Sequence, residues 1–234
     1  MRMPIWKGVC ALAVFLAVSG PACANAAKPT YPAMAQIGQY RMASASEEIS
    51  LARSAAPASI SSEAEVLALG DHGYETAAKG RNGFVCLVER SWAAGFDDQE
   101  FWNPKLRAPI CYNAAAARTI LPRYLERTKL VLAGASKASM IDSTKAALAA
   151  HTFVMPEPGA MCFMMSKQGH LHDADGHWHP HLMFFLARTD GAAWGADLAG
   201  SPVFAAQDQA EPITTFMVPV PQWSDGTLEV MKTH

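Results

Sequence analysis

Five of the eight histidines in this 234-residue chain lie within twelve positions, and their alternating spacing could support metal chemistry. Side chains alternate along a β-strand, so histidines two residues apart share one face. Imidazole nitrogen is a common ligand of zinc and other divalent transition metals. The sequence therefore predicts a metal-binding segment formed by His170, His172, His177, His179 and His181. A polar hairpin end, in which the imidazoles only make local hydrogen bonds, is the competing interpretation.

Apolar runs on both sides of this segment predict an antiparallel hairpin. MCFMMSKQ precedes Asp-Ala-Asp-Gly at positions 173–176, and HLMFFLA follows it. If that turn closes the hairpin, the residue numbers of each facing pair add to 349, because paired strands run in opposite directions. His172 would then face His177, and His170 would face His179. Directly opposed Cβ atoms lie about 5 Å apart, so such pairs could bind one ion.

A small-molecule pocket is a second possibility for the same region. His177 and His179 would donate hydrogen bonds, and Trp178 or Trp102 would stack on the ligand. Residues 92–110 are rich in aromatic side chains and lack a helical or strand period, which predicts an ordered loop packed by its own rings. The alternative function is therefore a non-enzymatic envelope protein that binds a small ligand or a protein partner through this loop.

Sequence motifs for common enzyme classes are absent. There is no Gly-x-Ser-x-Gly elbow, His-Glu-x-x-His helix or Cys-x-x-Cys pair, and no glycine fingerprint for phosphate or a nucleotide cofactor. Glu89 and Glu157 are candidate bases beside a metal-bound water, although surface positions are the default expectation for both. The sequence does not decide whether the protein is an enzyme.

The first 24 residues have the pattern of a secretory signal peptide. Arg2 and Lys7 precede an apolar stretch at 9–18, and Ala-Cys-Ala at 22–24 is a suitable cleavage site, with cleavage after Ala26 as the alternative. We expect a periplasmic or secreted protein with no stable membrane span after cleavage. The leader contains two of the 19 basic residues and none of the 21 acidic ones, so the mature charge is −4. That balance disfavours nucleic acid as a partner.

Three cysteines remain after processing, and an oxidising compartment permits one intramolecular disulfide between them. We predict the pair Cys86–Cys111, because a bridge there would restrain the irregular segment between them. Spacing alone does not fix the connectivity. Cys162 lies in an apolar run and would be a buried free thiol.

Turn signals and caps predict the elements that position these residues. Asp-His-Gly at 71–73 and Asn-Gly at 82–83 divide a meander of strands at 65–69, 74–78 and 84–90. Helices are expected within 40–55, from Asn113 to about Arg127 with a break at Pro122, and from Ser136 to about Ala150. Pro219 and Pro221 confine the tail to an edge strand or a strand end.

These elements predict an α+β fold: an antiparallel sheet of hairpins and a meander, covered by two or three helices. One domain spans 40–234, and 25–39 form a flexible N-terminal tether. The strings NGFVCLVERSW, FWNPKLRAPICYN and MMSKQGHLHDADGHWHPHLMFF resemble a group of secreted bacterial proteins with no assigned activity. The resemblance implies export and a single domain, but no mechanism.

Overall fold

The computed structural model describes residues 31–174, 176, 178–208 and 210–230. The predicted signal peptide and residues 25–30 of the predicted tether lie outside the described residues, as does His177. Tyr31, Met34 and Ile37, which belong to the remainder of that tether, pack against the hydrophobic core.

All eight strands form one sheet with the order β2-β1-β3-β4-β5-β6-β8-β7. Every neighbouring pair is antiparallel except β1 and β3, which are parallel. The predicted α+β class is therefore confirmed. The strands are β1 Glu65–Leu69, β2 Tyr74–Ala78, β3 Val85–Glu89, β4 Ala108–Tyr112, β5 Met161–Met164, β6 His181–Ala187, β7 Phe204–Gln207 and β8 Ile213–Pro219.

The predicted meander has the right strands but the wrong pairing. β2 pairs with β1, whereas β3 lies on the opposite side of β1 instead of forming a hairpin with β2. The connection passes against the start of β1, where Arg81 N–H donates to Glu63 O over 2.8 Å. A Cβ on Gly80 would lie 2.1 Å from the backbone nitrogen of Glu65, so only glycine allows this close approach. Asn82-Gly83 therefore forms part of a crossing connection.

The described residues form five α-helices around the sheet, and two of them begin at the predicted caps Asn113 and Ser136. Ser44, Asn113 and Ser136 each accept a hydrogen bond from a backbone N–H in the first turn of the helix that follows. The predicted break near Pro122 is confirmed, because one helix ends at Thr119 and the next begins at Leu121. The helices are α1 Ala45–Arg53, α2 Ala58–Ser61, α3 Ala114–Thr119, α4 Leu121–Leu132 and α5 Lys137–Ala149.

The helices divide the core between the two faces of the sheet. α1 packs on the face that carries Val66, Val88 and the disulfide. The opposite face carries Leu87, Ile110, Tyr112, Cys162, Phe185 and Ile213, and it packs with side chains of α3, α4 and α5. We call this second surface the helical face. It is the face on which the candidate cavity described below is formed.

The predicted cysteine pairing is confirmed. Cys86 and Cys111 are direct partners on β3 and β4, and they form the disulfide. Cys162 is a buried free thiol. Among the described residues, no helix has both the length and the apolar composition that a bilayer crossing requires.

The strand formed by the tail, β8, lies within the sheet and not at its edge. β8 lies between β6 and β7, so the edge-strand interpretation is wrong, whereas Pro219 does end the strand as expected. Pro219 has no N–H to donate, which is tolerated at a strand end. The outer position belongs to β7, a short strand that the sequence pattern did not indicate.

The aromatic loop is ordered by its own rings over 92–107, as predicted, whereas residues 108–110 of the predicted loop belong to strand β4. Phe101 stacks on Phe96 with centroids 5.6 Å apart and meets Trp102 edge-on at 4.7 Å. Trp92 is fully buried, and its indole N–H donates to Thr128 on α4 over 3.0 Å. The loop is therefore fixed to the helical face through its aromatic side chains.

Candidate sites on the helical face and in the histidine segment

The histidine segment is a folded loop rather than the end of a regular hairpin. β5 and β6 do pair, but Met164 faces His181, so the partner numbers add to four less than predicted. His170 forms an isolated bridge with Arg107, exchanging two backbone hydrogen bonds of 2.8 Å, and His172 bridges Gly176. The predicted register is therefore wrong. The backbone of His170 pairs with Arg107 in the aromatic loop and not with the following strand. Gly176 has a left-handed backbone conformation and closes a local turn.

His170 and His172 each lie beside a carboxylate. His170 Nε2 is 2.9 Å from Asp173 Oδ1, and His172 Nε2 is 3.4 Å from Glu100 Oε1. The amide of Asn103 donates to both carboxylates over 3.0 Å. We call these five residues the His–acid cluster. Hydrogen bonds from Tyr31 and His170 hold the pKa of Asp173 well below its usual range, so this carboxylate is ionised.

His179 and His181 lie in a different environment. His179 Nδ1 is 3.3 Å from Glu229 Oε1. His181 is buried, and its Nδ1 donates to the carbonyl of His179 over 2.7 Å. Burial lowers the pKa of His181, so its imidazole is neutral at neutral pH. Its ring also meets Trp178 edge-on, with centroids 4.7 Å apart. This imidazole is held by a backbone carbonyl and an indole.

Of the predicted metal ligands that the structure describes, His170 and His172 contact Asp173 and Glu100, whereas His179 and His181 contact Glu229 and Trp178. Within the part of the chain that the structure describes, no group of three or more His, Cys, Asp or Glu residues is arranged to hold a metal ion. Metal binding stays a prediction. Trp102 is buried in the core against Phe101, and Trp178 is half-buried against His181 and Phe204, so these indoles lie in separate ring clusters.

A cavity of about 210 Å³ lies between the helical face and α4. Its wall is formed by β3, β4, β6 and β8, by α4 with Ile120 before it, and by the short turn after β3. The apolar part of the wall is formed by Ala93, Ile120, Met183, Phe185 and Ile213. The polar part contains Glu89, Tyr112, Tyr124 and Thr215, with Arg123 and Arg127 from α4. We call it the helical-face cavity. Apolar walls with a few convergent polar groups are typical of small-molecule sites.

Glu89 is the buried acid of this cavity. Its side chain follows Leu87 on the inward face of β3, and the residue is only 7% exposed. The Tyr112 hydroxyl donates to Glu89 Oε1 over 2.6 Å. Burial raises the pKa of Glu89 to about 7, against the opposing effects of Tyr112 and Arg127. The expectation of a surface position was wrong for Glu89, whereas Glu157 is exposed and paired with Arg118.

Two arginines and one glutamate form an ionic group beside Glu89. Arg123 and Arg127 are four residues apart and so project from one face of α4. Arg123 Nη1 lies 2.8 Å from Glu211 Oε2, and Arg127 Nη2 lies 3.1 Å from Glu211 Oε1. Sequence reasoning missed this group because Glu211 is distant in the chain. The four-residue spacing of the arginines was the one local signal.

No family model, curated protein or solved structure matches this chain. Glu89 has a protonation equilibrium close to neutral pH and lies inside a partly apolar cavity. Perturbed acids in such surroundings are enriched at functional sites. The histidine segment offers imidazoles and carboxylates, but in two different sets of contacts.

Proposed function

We propose that this is an exported protein that binds a small organic molecule in the helical-face cavity. The observation that carries the proposal is Glu89, a buried acid at the wall of a 210 Å³ space that is lined by both apolar and polar side chains. An empty space of this size would hold about seven waters at about 30 Å³ each. Because apolar and polar groups both line the wall, an organic ligand with an apolar body and a polar group would match it.

The aromatic loop contributes to this proposal differently from the sequence expectation. Its Trp92 and Trp102 rings are buried in the core and are used in packing. The loop instead supplies Ala93 to the cavity wall, and the carbonyls of Trp92 and Ala94 accept hydrogen bonds from Arg127. The ligand site we propose is therefore beside the beginning of the loop. Export is supported by the leader pattern and by the disulfide, which is characteristic of oxidising compartments.

A cavity-blocking variant tests this function. Thr215 lies on β8 in the cavity wall, and Thr215→Phe would fill part of the space with an aromatic ring. We expect the purified protein to bind benzamide in a calorimetric titration and the variant to bind it at least about tenfold more weakly, which corresponds to about 1.4 kcal/mol. Thr76→Phe, on the exposed strand β2, is the matched control. Equal binding by both variants would contradict the proposed location.

Transition-metal binding is the second candidate function. It is favoured by the two imidazole–carboxylate contacts of the His–acid cluster, at 2.9 and 3.4 Å. Carboxylate oxygen and imidazole nitrogen are both ligands of zinc. Glu100 is a candidate metal ligand that the histidine pattern did not indicate, and it comes from the aromatic loop. A metal would require these side chains to rotate toward a common point.

Metal content separates the two candidates. We expect tag-free protein reconstituted with zinc to retain close to one ion per chain by mass spectrometry, if the second candidate is correct. His170→Ala with His172→Ala should remove that ion, and Glu100→Gln should weaken its retention. His72→Ala changes an exposed histidine in the β1–β2 turn and is the control. Retention of metal by the double variant would exclude the His–acid cluster as the site.

A further inference from the structure

Most guanidinium nitrogens around the helical-face cavity already donate hydrogen bonds within the protein. Arg123 donates to the carbonyls of Thr119 and Val154 as well as to Glu211. Arg127 uses one terminal nitrogen for two loop carbonyls and the other for Glu211. An anionic ligand would have to compete with these bonds for the same two side chains. The arginines therefore hold the wall together and are poorly placed to recognise an anion.

A cationic ligand is disfavoured by the same group of charges. Glu211 already shares its carboxylate between Arg123 and Arg127. Asp208 also borders the cavity and accepts a hydrogen bond from the backbone of Ala210 over 2.6 Å. A cation near Glu89 would lie beside Arg127, whose charge already acts on this carboxyl. Like charges at short range repel in a partly buried site.

Glu89 is suited to an uncharged partner. Oε1 accepts the Tyr112 hydroxyl, and among the described residues no second hydrogen bond to the Glu89 carboxyl is formed. When protonated on Oε2, Glu89 has one O–H donor that the protein does not satisfy. Oε2 is not among the fully buried side-chain atoms that lack a partner, so this O–H is open to the cavity, where an acceptor on a ligand can take it.

We propose that the helical-face cavity selects an uncharged small molecule and that protonated Glu89 donates a hydrogen bond to an acceptor on it, such as a carbonyl oxygen. This inference depends on the proposed function, because it names the ligand class of the same cavity. Ionisation of Glu89 removes the donor and places a negative charge against the ligand acceptor. Binding is therefore coupled to uptake of a proton by Glu89.

Several titratable or charged groups surround Glu89, and they come from every element packed against it. They are Tyr74 of β2, Tyr112 of β4, Cys162 of β5, the α4 residues Arg123, Tyr124 and Arg127, and Asp208 and Glu211 before β8. Burial raises the pKa of the three phenols and of the Cys162 thiol, so these four groups stay neutral while Glu89 titrates.

Three probes of nearly equal shape test the charge selection: benzamide, benzoate and benzylammonium. Titration calorimetry of the full chain at about pH 5.5 should show benzamide binding at least about tenfold more tightly than either ion. If only the protonated form of Glu89 binds, the affinity for benzamide should fall by up to about 30-fold at about pH 8.5, following the protonated fraction. Tighter binding of an ion than of benzamide would overturn the inference.

Variants at two carboxyl positions complete the test. Glu89→Gln keeps an N–H donor and cannot ionise, so it should bind benzamide with the same affinity at both pH values. Glu157→Gln alters an exposed carboxylate paired with Arg118 and should keep the wild-type pH dependence. Binding that Thr215→Phe blocks but that does not change with pH would overturn only the ligand-class inference. Failure of all three probes to bind at either pH would overturn the proposed function itself.

Discussion

Replacing Glu89 by glutamine should make the stability of the protein much less dependent on pH. Burial raises the pKa of Glu89 from its ordinary value of 4.5 to about 7. The pKa of Glu89 is higher in the folded state than in the unfolded state. The protonated carboxyl therefore imposes no penalty on the fold below about pH 4.5, and the free energy of unfolding falls as the pH rises through about 7. The total penalty on ionisation is about 3 kcal/mol, at about 1.4 kcal/mol per pKa unit.

Urea unfolding followed by tryptophan fluorescence measures this effect. Between about pH 5 and about pH 8.5, the stability of Glu89→Gln relative to wild type should rise by about 2.5 kcal/mol. Other titrating groups are common to both proteins and cancel in the difference. Glu157→Gln should show almost no change over this range, because Arg118 lowers the pKa of Glu157 and the carboxylate is therefore already ionised at about pH 5. A Glu89→Gln difference that does not vary with pH would refute the buried-acid argument.

Two further predictions concern the framework. Removing the Cys86–Cys111 disulfide by a double alanine substitution should lower the free energy of unfolding by about 3.5 kcal/mol, since the bridge closes a loop across 25 positions. Reductant should lower the urea midpoint of the wild-type protein and leave the midpoint of the variant unchanged. Glu48→Gln should cost about 3–5 kcal/mol in urea unfolding, because it leaves the fully buried Arg90 guanidinium without its counter-ion. Glu63→Gln, at an exposed pair, should cost far less, and equal losses would contradict this account.

Much of the secondary structure was predictable because its determinants are local. β1 and β2 have the predicted bounds, and β3 differs from its prediction by one residue at each end. The division of a helix at Pro122 follows from the missing N–H of proline. The pairing of β3 was not predictable in this way. It depends on the close approach of Gly80 to β1, a contact between segments that turn signals do not describe.

The histidine segment illustrates a second limit. Two apolar runs and a turn signal predicted that β5 and β6 pair, and they do. Their register depends on the backbone partner of His170. That partner is Arg107, in a loop whose sequence has no strand period. Likewise, the inward direction of Glu89 follows from its two-residue offset from Leu87, but the depth of its burial depends on α4.

β6 lines the helical-face cavity but contributes no residue to the His–acid cluster, so the two functions can be tested separately. His181 and Met183 share a strand face, two residues or about 7 Å apart, and Met183 lines the cavity. The Nδ1 of His181 is already bound to a backbone carbonyl. The imidazoles that contact carboxylates in the His–acid cluster belong to the loop before β6. A metal bound there would leave Glu89 and the cavity wall in place, so loss of metal should not change benzamide affinity, and blocking the cavity should not change metal content.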